Sequence, residues 1–321
     1  MIWLHDDTGF PTSSVTDFSS LVETQKMYAH SEINLLLPLG SFRVVSEATY
    51  LSYRGRAYRI VSVTTTENPP QVEVLGYCAS TELGLRTIIG TLNHTGTSGA
   101  FVAAMRATLG TGFRNITLLT GDLSPYGTST TRQRSWGNMY EDALSIMLGD
   151  NLSLTARYRN GGIYLDAVVP ALAGDISTRL AGSATIVDDI RAWANYAYVL
   201  GQGEGEDREL VEVNLQGSSD PFIELYVDAD DISPDDLTLT EYRNALYDRG
   251  LEKLAEARRV QYAEATVDTS LSLGDVVWYD GAVRGYLMAT EIITTQEGGQ
   301  DLTTVTLGEP PLSLREKIRS V

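Results

Sequence analysis

Cysteine occurs once in this chain, at Cys78, and histidine three times, at His5, His30 and His94. A single thiol excludes an internal disulfide, and ligands this sparse leave a cysteine-based zinc site unsupplied. Long apolar runs are missing too. Leu35-Leu36-Leu37-Pro38-Leu39 is typical of the longest, far short of the ~18 residues a membrane span requires. The N-terminus, Met1-Ile2-Trp3-Leu4-His5-Asp6-Asp7, has no basic segment followed by an apolar one. No secretory leader is therefore read, and synthesis in a cytoplasm without a membrane anchor is expected. Positive charge is scarce: 24 Lys and Arg stand against 42 Asp and Glu, a formal net charge of −18. Nucleic-acid surfaces neutralise phosphates with basic patches, so this balance argues for repulsion of nucleic acid rather than binding.

Catalytic signatures are absent as well. No GxSxG elbow, HExxH zinc helix or Walker loop occurs. Gly201-Gln-Gly-Glu-Gly205 has part of a phosphate-loop spacing. Glu204, Glu206, Asp207 and Glu209 crowd it, however, and an alternating strand follows where a helix is needed. Carboxylates there repel phosphate, and a turn between strands is the simpler reading. Asp228 to Asp236, with Asp230 and Asp231 between, gathers acids as a calcium loop does. The central glycine and the twelfth-position glutamate fall out of register, which favours a solvated acidic loop and leaves a cation bridge as the alternative. Cys78 follows Val74-Leu75 and reads as a small core residue. Tyr50, Tyr53, Tyr58, Trp278 and Tyr279 fall in strand patterns and read as sheet-packing residues, with carbohydrate stacking as the alternative. The expectation is a protein that is not an enzyme, with no cofactor and no metal.

What is present is 43% apolar sequence with 29 Gly and 17 Tyr in 321 residues. That composition suits a β-leaning globular chain of roughly two domains. Two stretches follow one plan: Tyr50 to Gly76, and Val277 to Gly308. Each reads as strand, tight Gly turn, long strand, polar turn and strand, and each closes on Leu-Gly. A unit recurring twice at such distance is no solenoid repeat. It predicts two related β-modules.

Residues 1–89 read as β-rich, with alternation from Phe42 to Thr64 about the Arg54-Gly55 turn. Residues 90–172 read as an α+β domain. Phe101, Met105 and Leu109 recur at a spacing of four, Asn138 to Leu148 repeats the pattern, and Asn160-Gly161 sits between two alternating runs. The Ser/Thr/Gly-rich Gly121 to Arg134 stretch between those helices reads as a loop. Residues 173–321 return to strands, with a helical insertion around 216–260. Thr238 and Glu241 predict a capping box there, Tyr242, Leu246, Gly250, Leu254 and Ala257 share one face, and Arg258-Arg259 suits the C-terminal end of the dipole.

These elements in this order resemble the tail-tip hub proteins of long-tailed phages, relatives of the baseplate hub of contractile phages. The residues carrying the resemblance are Ala57 to Val63, Val72 to Gly76 and Leu83 to Ile88, then Tyr140 to Val168. Asn195 to Gly205 with Arg208, the helix at 241–259, and Leu273-Gly274-Asp275-Val276-Val277 complete it. The resemblance implies a β-dominated α+β fold. Two tail-tube-like β-barrel domains would hold the modules, around an inserted α+β domain and a helix-bearing insertion. It implies a homotrimer, six barrels meeting a six-fold tube, in a virion tail assembled in the host cytoplasm. Its partners would be a distal-tail or tail-tube ring, a tape-measure protein and tip or fibre proteins, with DNA passing unbound. On that reading Glu204, Glu206, Asp207, Asp228, Asp230 and Asp231 are candidates to line the channel. The alternatives from other classes are a scaffold for, or itself, a cell-wall peptidase of the tail, and a glycan-binding tail module.

Overall fold

A computed structural model describes residues 1–308 apart from 111–112, 176–179, 192, 219, 236, 258–259, 268–270, 281–283 and 299. It divides into two units, residues 1–185 with 264–308, and residues 186–263.

The first unit opens with β1 (Ile2–His5) against β2 (Pro11–Val15), then β3 (Ser20–Lys26) against β4 (Glu32–Pro38). Along β4 the side chains of Ile33, Leu35 and Leu37 are buried while Glu32, Asn34 and Leu36 are only half-buried, the period of two that a one-sided strand requires. Phe42–Ser46 forms a short helix, α1, where alternation predicted a strand. Only Val45 of it is buried, so this segment has no sheet face to fill. A three-stranded meander follows: β5 (Tyr50–Tyr53), β6 (Arg56–Glu67) and β7 (Pro70–Cys78). Arg54 and Gly55 both have positive φ, 49° and 79°, as a type I′ hairpin turn demands.

The next elements are β8 (Thr91–Gly96), α2 (Ser98–Ala107), β9 (Leu119–Thr120), β10 (Thr130–Ser135), α3 (Met139–Leu148), β11 (Ser153–Arg159) and β12 (Gly162–Val168). Thr97 caps α2, its Oγ1 accepting from the Ala100 amide at 3.0 Å, and Asn138 caps α3. Phe101 and Met105 from α2 and Met139, Ala143 and Met147 from α3 pack with Leu83, Leu154 and Leu165. This same core includes Tyr50 and Ala57 of the first meander. The Ser/Thr-rich stretch is not all loop, because Thr130–Ser135 pairs with β8. Cross-strand hydroxyl pairs, Thr95–Thr131 at 2.9 Å and Thr91–Ser135 at 2.8 Å, support that ribbon without any apolar periodicity.

β13 (Ala171–Asp175) and β14 (Leu180–Asp189) lead toward the second unit. There β15 (Tyr196–Leu200) lies between antiparallel β16 (Leu210–Asn214) and parallel β17 (Glu224–Asp228). The long helix α4 (Leu239–Glu256) begins at the predicted capping box, with both the Thr238 and Glu241 side-chain bonds made. Its Tyr242, Leu246 and Leu254 pack on Ala197, Val199 and Val213. Gly250 lets helix and sheet approach closely, since a Cβ there would stand 2.5 Å from Val213 Cγ2 and 2.7 Å from Val199 Cγ2. Arg258 and Arg259 lie outside the described residues.

β18 (Val260–Val267) returns to the first unit, and β19 (Asp275–Asp280), β20 (Arg284–Glu297) and β21 (Gln300–Gly308) form a second antiparallel meander. The two meanders agree in detail. Among the described residues each long central strand slips register once, between Ile60 and Ser62 and between Ala289 and Glu291, and the first then ends at a two-residue turn. The tight turn that the sequence places at 281–283 lies outside the described residues. The meanders share one sheet, in the order β21–β20–β3–β4–β7–β6. The pairings among the described residues are β-dominated and close no barrel.

Two side-chain contacts show how strongly this sheet curls. Glu23 on β3 is fully buried, yet its carboxylate accepts from Arg56 Nε at 2.7 Å, Arg56 Nη2 at 2.5 Å and the Tyr58 hydroxyl at 2.5 Å, all from β6. Two strands, β4 and β7, separate β3 from β6 in the hydrogen-bonded order. The sheet therefore bends around Leu35, Val72 and Val74 until its third strand meets its sixth. Arg54, in the first hairpin turn, likewise pairs with Asp301 at the start of β21 at 2.5 Å.

Replacing Glu23 by alanine strands the largely enclosed Arg56 charge and should cost about 3 kcal/mol, read as a lower urea midpoint. Gly250→Ala should destabilise the second unit by about 2 kcal/mol through overpacking, measured by hydrogen exchange in β15 and β16.

Candidate functional site

The common sheet has two faces. One carries Leu21, Ile33, Leu35, Val72 and Val74 into the core. The period of two puts Ser20, Val22 and Thr24 of β3, Glu32, Asn34 and Leu36 of β4, and Glu73 and Leu75 of β7 on the other. Together these line a shallow trough. Hydrogen bonds tie neighbouring strands across this face: Asn34 Nδ2 donates to Glu73 Oε1 at 2.7 Å, and Ser20 Oγ donates to Glu297 Oε1 at 3.2 Å. Lys26 lies 4.0 Å from Glu291. The surface thus mixes hydroxyls and carboxylates with the aliphatic side chains of Val22, Leu36 and Leu75, and contacts from Ser20 and Lys26 reach β20 of the second meander.

The acids that the sequence singled out lie elsewhere, in the second unit. Glu204, Asp207, Asp228, Asp230 and Asp231 are exposed, and Glu206 sits in the 3-10 turn Gly205–Asp207. The GQGEG segment does connect two strands, β15 and β16. Arg208 folds back over it, donating to Gly201 O at 2.5 Å and Leu200 O at 2.9 Å and pairing with Asp228. Arg249 on α4 grips Asp231 through two bonds, at 3.1 and 2.9 Å, and holds its carboxyl below the usual carboxylate range. Arg243 pairs with Glu209 at 2.5 Å. Part of the acidic charge is therefore neutralised by arginines that sequence spacing did not nominate.

The remaining chemistry is dispersed. Among the described residues no three His, Cys, Asp or Glu side chains come together as metal ligands, and no helix is long and apolar enough to cross a membrane. Cys78 is buried, accepting a hydrogen bond from Ser80 Oγ at 3.2 Å. His30 packs on Tyr77 with ring centroids 4.5 Å apart, and His94 faces Phe101 at 6.2 Å. Of the aromatics nominated for sugar stacking, Trp278 meets Tyr286 edge-on at 5.0 Å, while the Tyr279 side chain lies outside the described residues. His5 is fully buried, its Nε2 2.9 Å from Ser52 Oγ and its ring 4.3 Å from that of Tyr158.

Residues 183–309 match the sequence model of a family described as Siphovirus ReqiPepy6 Gp37-like protein. No curated protein matches the chain in sequence. In fold the chain is similar to the 43 kDa tail protein of prophage MuSo2 from Shewanella oneidensis, with a TM-score of 0.61 at 10% identity over 96% of this chain and 98% of that one. The tail protein from Neisseria meningitidis MC58 follows at 0.59 and 10% identity, over 96% of each chain. Prophage tail protein gp18 from Listeria monocytogenes EGD-e gives 0.56 and 10% identity, over 99% of this chain and 97% of that one. The likeness to phage tail proteins expected from the sequence is thus found, in fold over nearly the whole chain and in family sequence over its C-terminal part.

Burial holds the His5 pKa below its ordinary value, so the folded protein binds this proton less readily than the unfolded chain. Stability should consequently fall as pH drops below about 6.5, the free-imidazole value. A His5→Gln variant should show a shallower loss of Tm between pH 6.5 and 5 than the parent chain.

Proposed function

We propose that this chain is a structural, non-enzymatic component of a phage or phage-derived tail tip, acting as a trimeric hub. The observation that carries this reading is the pair of matching meanders joined through β3 and β4 in one curled sheet. A chain with two equivalent modules offers two similar wall segments, so three chains supply six, and a six-fold tube can be met without a six-fold adaptor. The fold likeness to prophage tail proteins and the family match over 183–309 support a place in the virion tail. On this reading each module belongs to a tube-like barrel, completed by the neighbouring chain or the ring above. The partners are a distal-tail or tail-tube ring on one side and tip or fibre proteins on the other, with the tape-measure protein and DNA passing through.

The hydroxyl- and carboxylate-rich sheet face is the natural channel wall. Glu32, Glu73 and Glu297, with Glu291 in part offset by Lys26, spread fixed negative charge over a surface that phosphates slide past without binding. Glu204, Glu206, Asp207, Asp228, Asp230 and Asp231 are a second, outlying contribution to the same repulsion. In it Asp228 and Asp231 count for less, because Arg208 and Arg249 offset them.

Sedimentation equilibrium of the purified chain should give three times the chain mass. A dimer or a hexamer as the largest closed species contradicts the hub stoichiometry.

A further inference from the structure

Two exposed surfaces, one in each unit, are complementary in charge and both carry exposed aromatics. In a chain of net charge −18, residues 86–159 carry seven arginines against four carboxylates, and residues 186–263 carry eighteen acids against seven Lys and Arg. On the basic side, hydrogen bonds gather three separated segments. Arg86 Nε donates to Arg114 O at 3.0 Å, Arg114 Nη2 donates to Thr87 O at 2.6 Å, and the Trp136 amide donates to Gly90 O at 3.3 Å. This brings together the segments that carry Arg86 and Arg114 and those that carry Phe113, Trp136 and Ile89, whose side chains are exposed by 95%, 70% and 62%. Exposure of that degree in large apolar side chains marks an interaction surface.

On the acidic side, the face of β15–β16–β17 opposite α4 presents Tyr196, Tyr198 and Tyr226 with Glu212 and Glu224. Tyr196 lies 5.1 Å from Tyr198 and 4.8 Å from Phe222, and its hydroxyl donates to Glu212 at 2.5 Å. Tyr226 is 61% and Phe222 50% exposed. Trp, Tyr and Arg are the residues that dominate interface energetics, and arginine stacks on tyrosine while pairing with carboxylate.

We propose that these two surfaces bind one another between copies of this chain: the Arg86/Arg114/Phe113/Trp136 patch of one protomer docks on the Tyr196/Tyr198/Tyr226/Glu212/Glu224 face of the next. The inference rests on the trimeric hub reading and supplies its contact. Patch and face differ, so the contact is heterologous, the kind that closes into a ring when the rotation between copies permits. Opposite charges fix the partner and the direction around the ring, and the aromatics on both sides supply the buried apolar area.

The test is the mass of the full chain in solution. Glu212→Lys with Glu224→Lys should reduce the trimer at least tenfold in association constant, while Glu212→Gln with Glu224→Gln, which removes the charge without reversing it, should reduce it less. Phe113→Ser with Trp136→Ser, which leaves the hydrogen bonds of Arg86 and Arg114 untouched, should dissociate the trimer with an unchanged circular dichroism spectrum. A trimer that survives the Glu212→Lys, Glu224→Lys swap or the Phe113→Ser, Trp136→Ser pair overturns this contact and leaves the hub reading standing. A parent chain that stays monomeric at millimolar concentration overturns both.

Discussion

A buried carboxylate holds the curl of the sheet on which the first unit is built. Glu23 lies in an apolar environment where an isolated charge is unstable by several kcal/mol. It is kept there by a two-bond grip from Arg56 and by the Tyr58 hydroxyl. Those partners stand on β6, so the pair can form only when β3, β4, β7 and β6 curl far enough for the outer two to meet. β3 is also the strand on which β20 of the second meander is built, from Glu291↔Lys26 to Glu297↔Ser20. One ion pair thereby links the curvature of the first module to the attachment of the second.

The same geometry explains why one face of the sheet is available for a polar role. Most apolar side chains of β3, β4 and β7 are consumed by the core inside the curl, which leaves serine, threonine, asparagine and glutamate outside together with Val22, Leu36 and Leu75. Unit 2 has the opposite character. Its three-stranded sheet is closed on one side by α4, and its other side displays tyrosines and carboxylates in a pattern fit for a protein contact.

Local features were legible in the sequence, and non-local ones were not. Thr238 with Glu241, the Asn138-to-Leu148 helix and the Arg54-Gly55 and Asn160-Gly161 turns depend on neighbours within a few residues, and each forms where expected. The β8–β10 ribbon escaped because its stabilisation comes from hydroxyl pairs, which leave no hydrophobic period. Helix α1 arose where apparent alternation had no sheet partner. Nothing in Val22-Glu23-Thr24-Gln25 announces that Glu23 is buried or that Arg56 is its partner. The acidic loops were recognised, but the arginines that neutralise Asp228 and Asp231 lie about twenty residues away, beyond any local spacing rule. The duplicated plan was visible from Gly turns and Leu-Gly endings; that both copies share one sheet, joined through β3, required the fold.

The central claim is that two equivalent modules per chain make a six-part wall from three chains. Image reconstruction of the purified assembly by electron microscopy tests it most directly. The account predicts a three-fold ring with six similar wall segments and with the Glu32, Glu73, Glu291 and Glu297 face turned toward the bore. A ring with that face on its outer surface, or with only three wall segments, would contradict it.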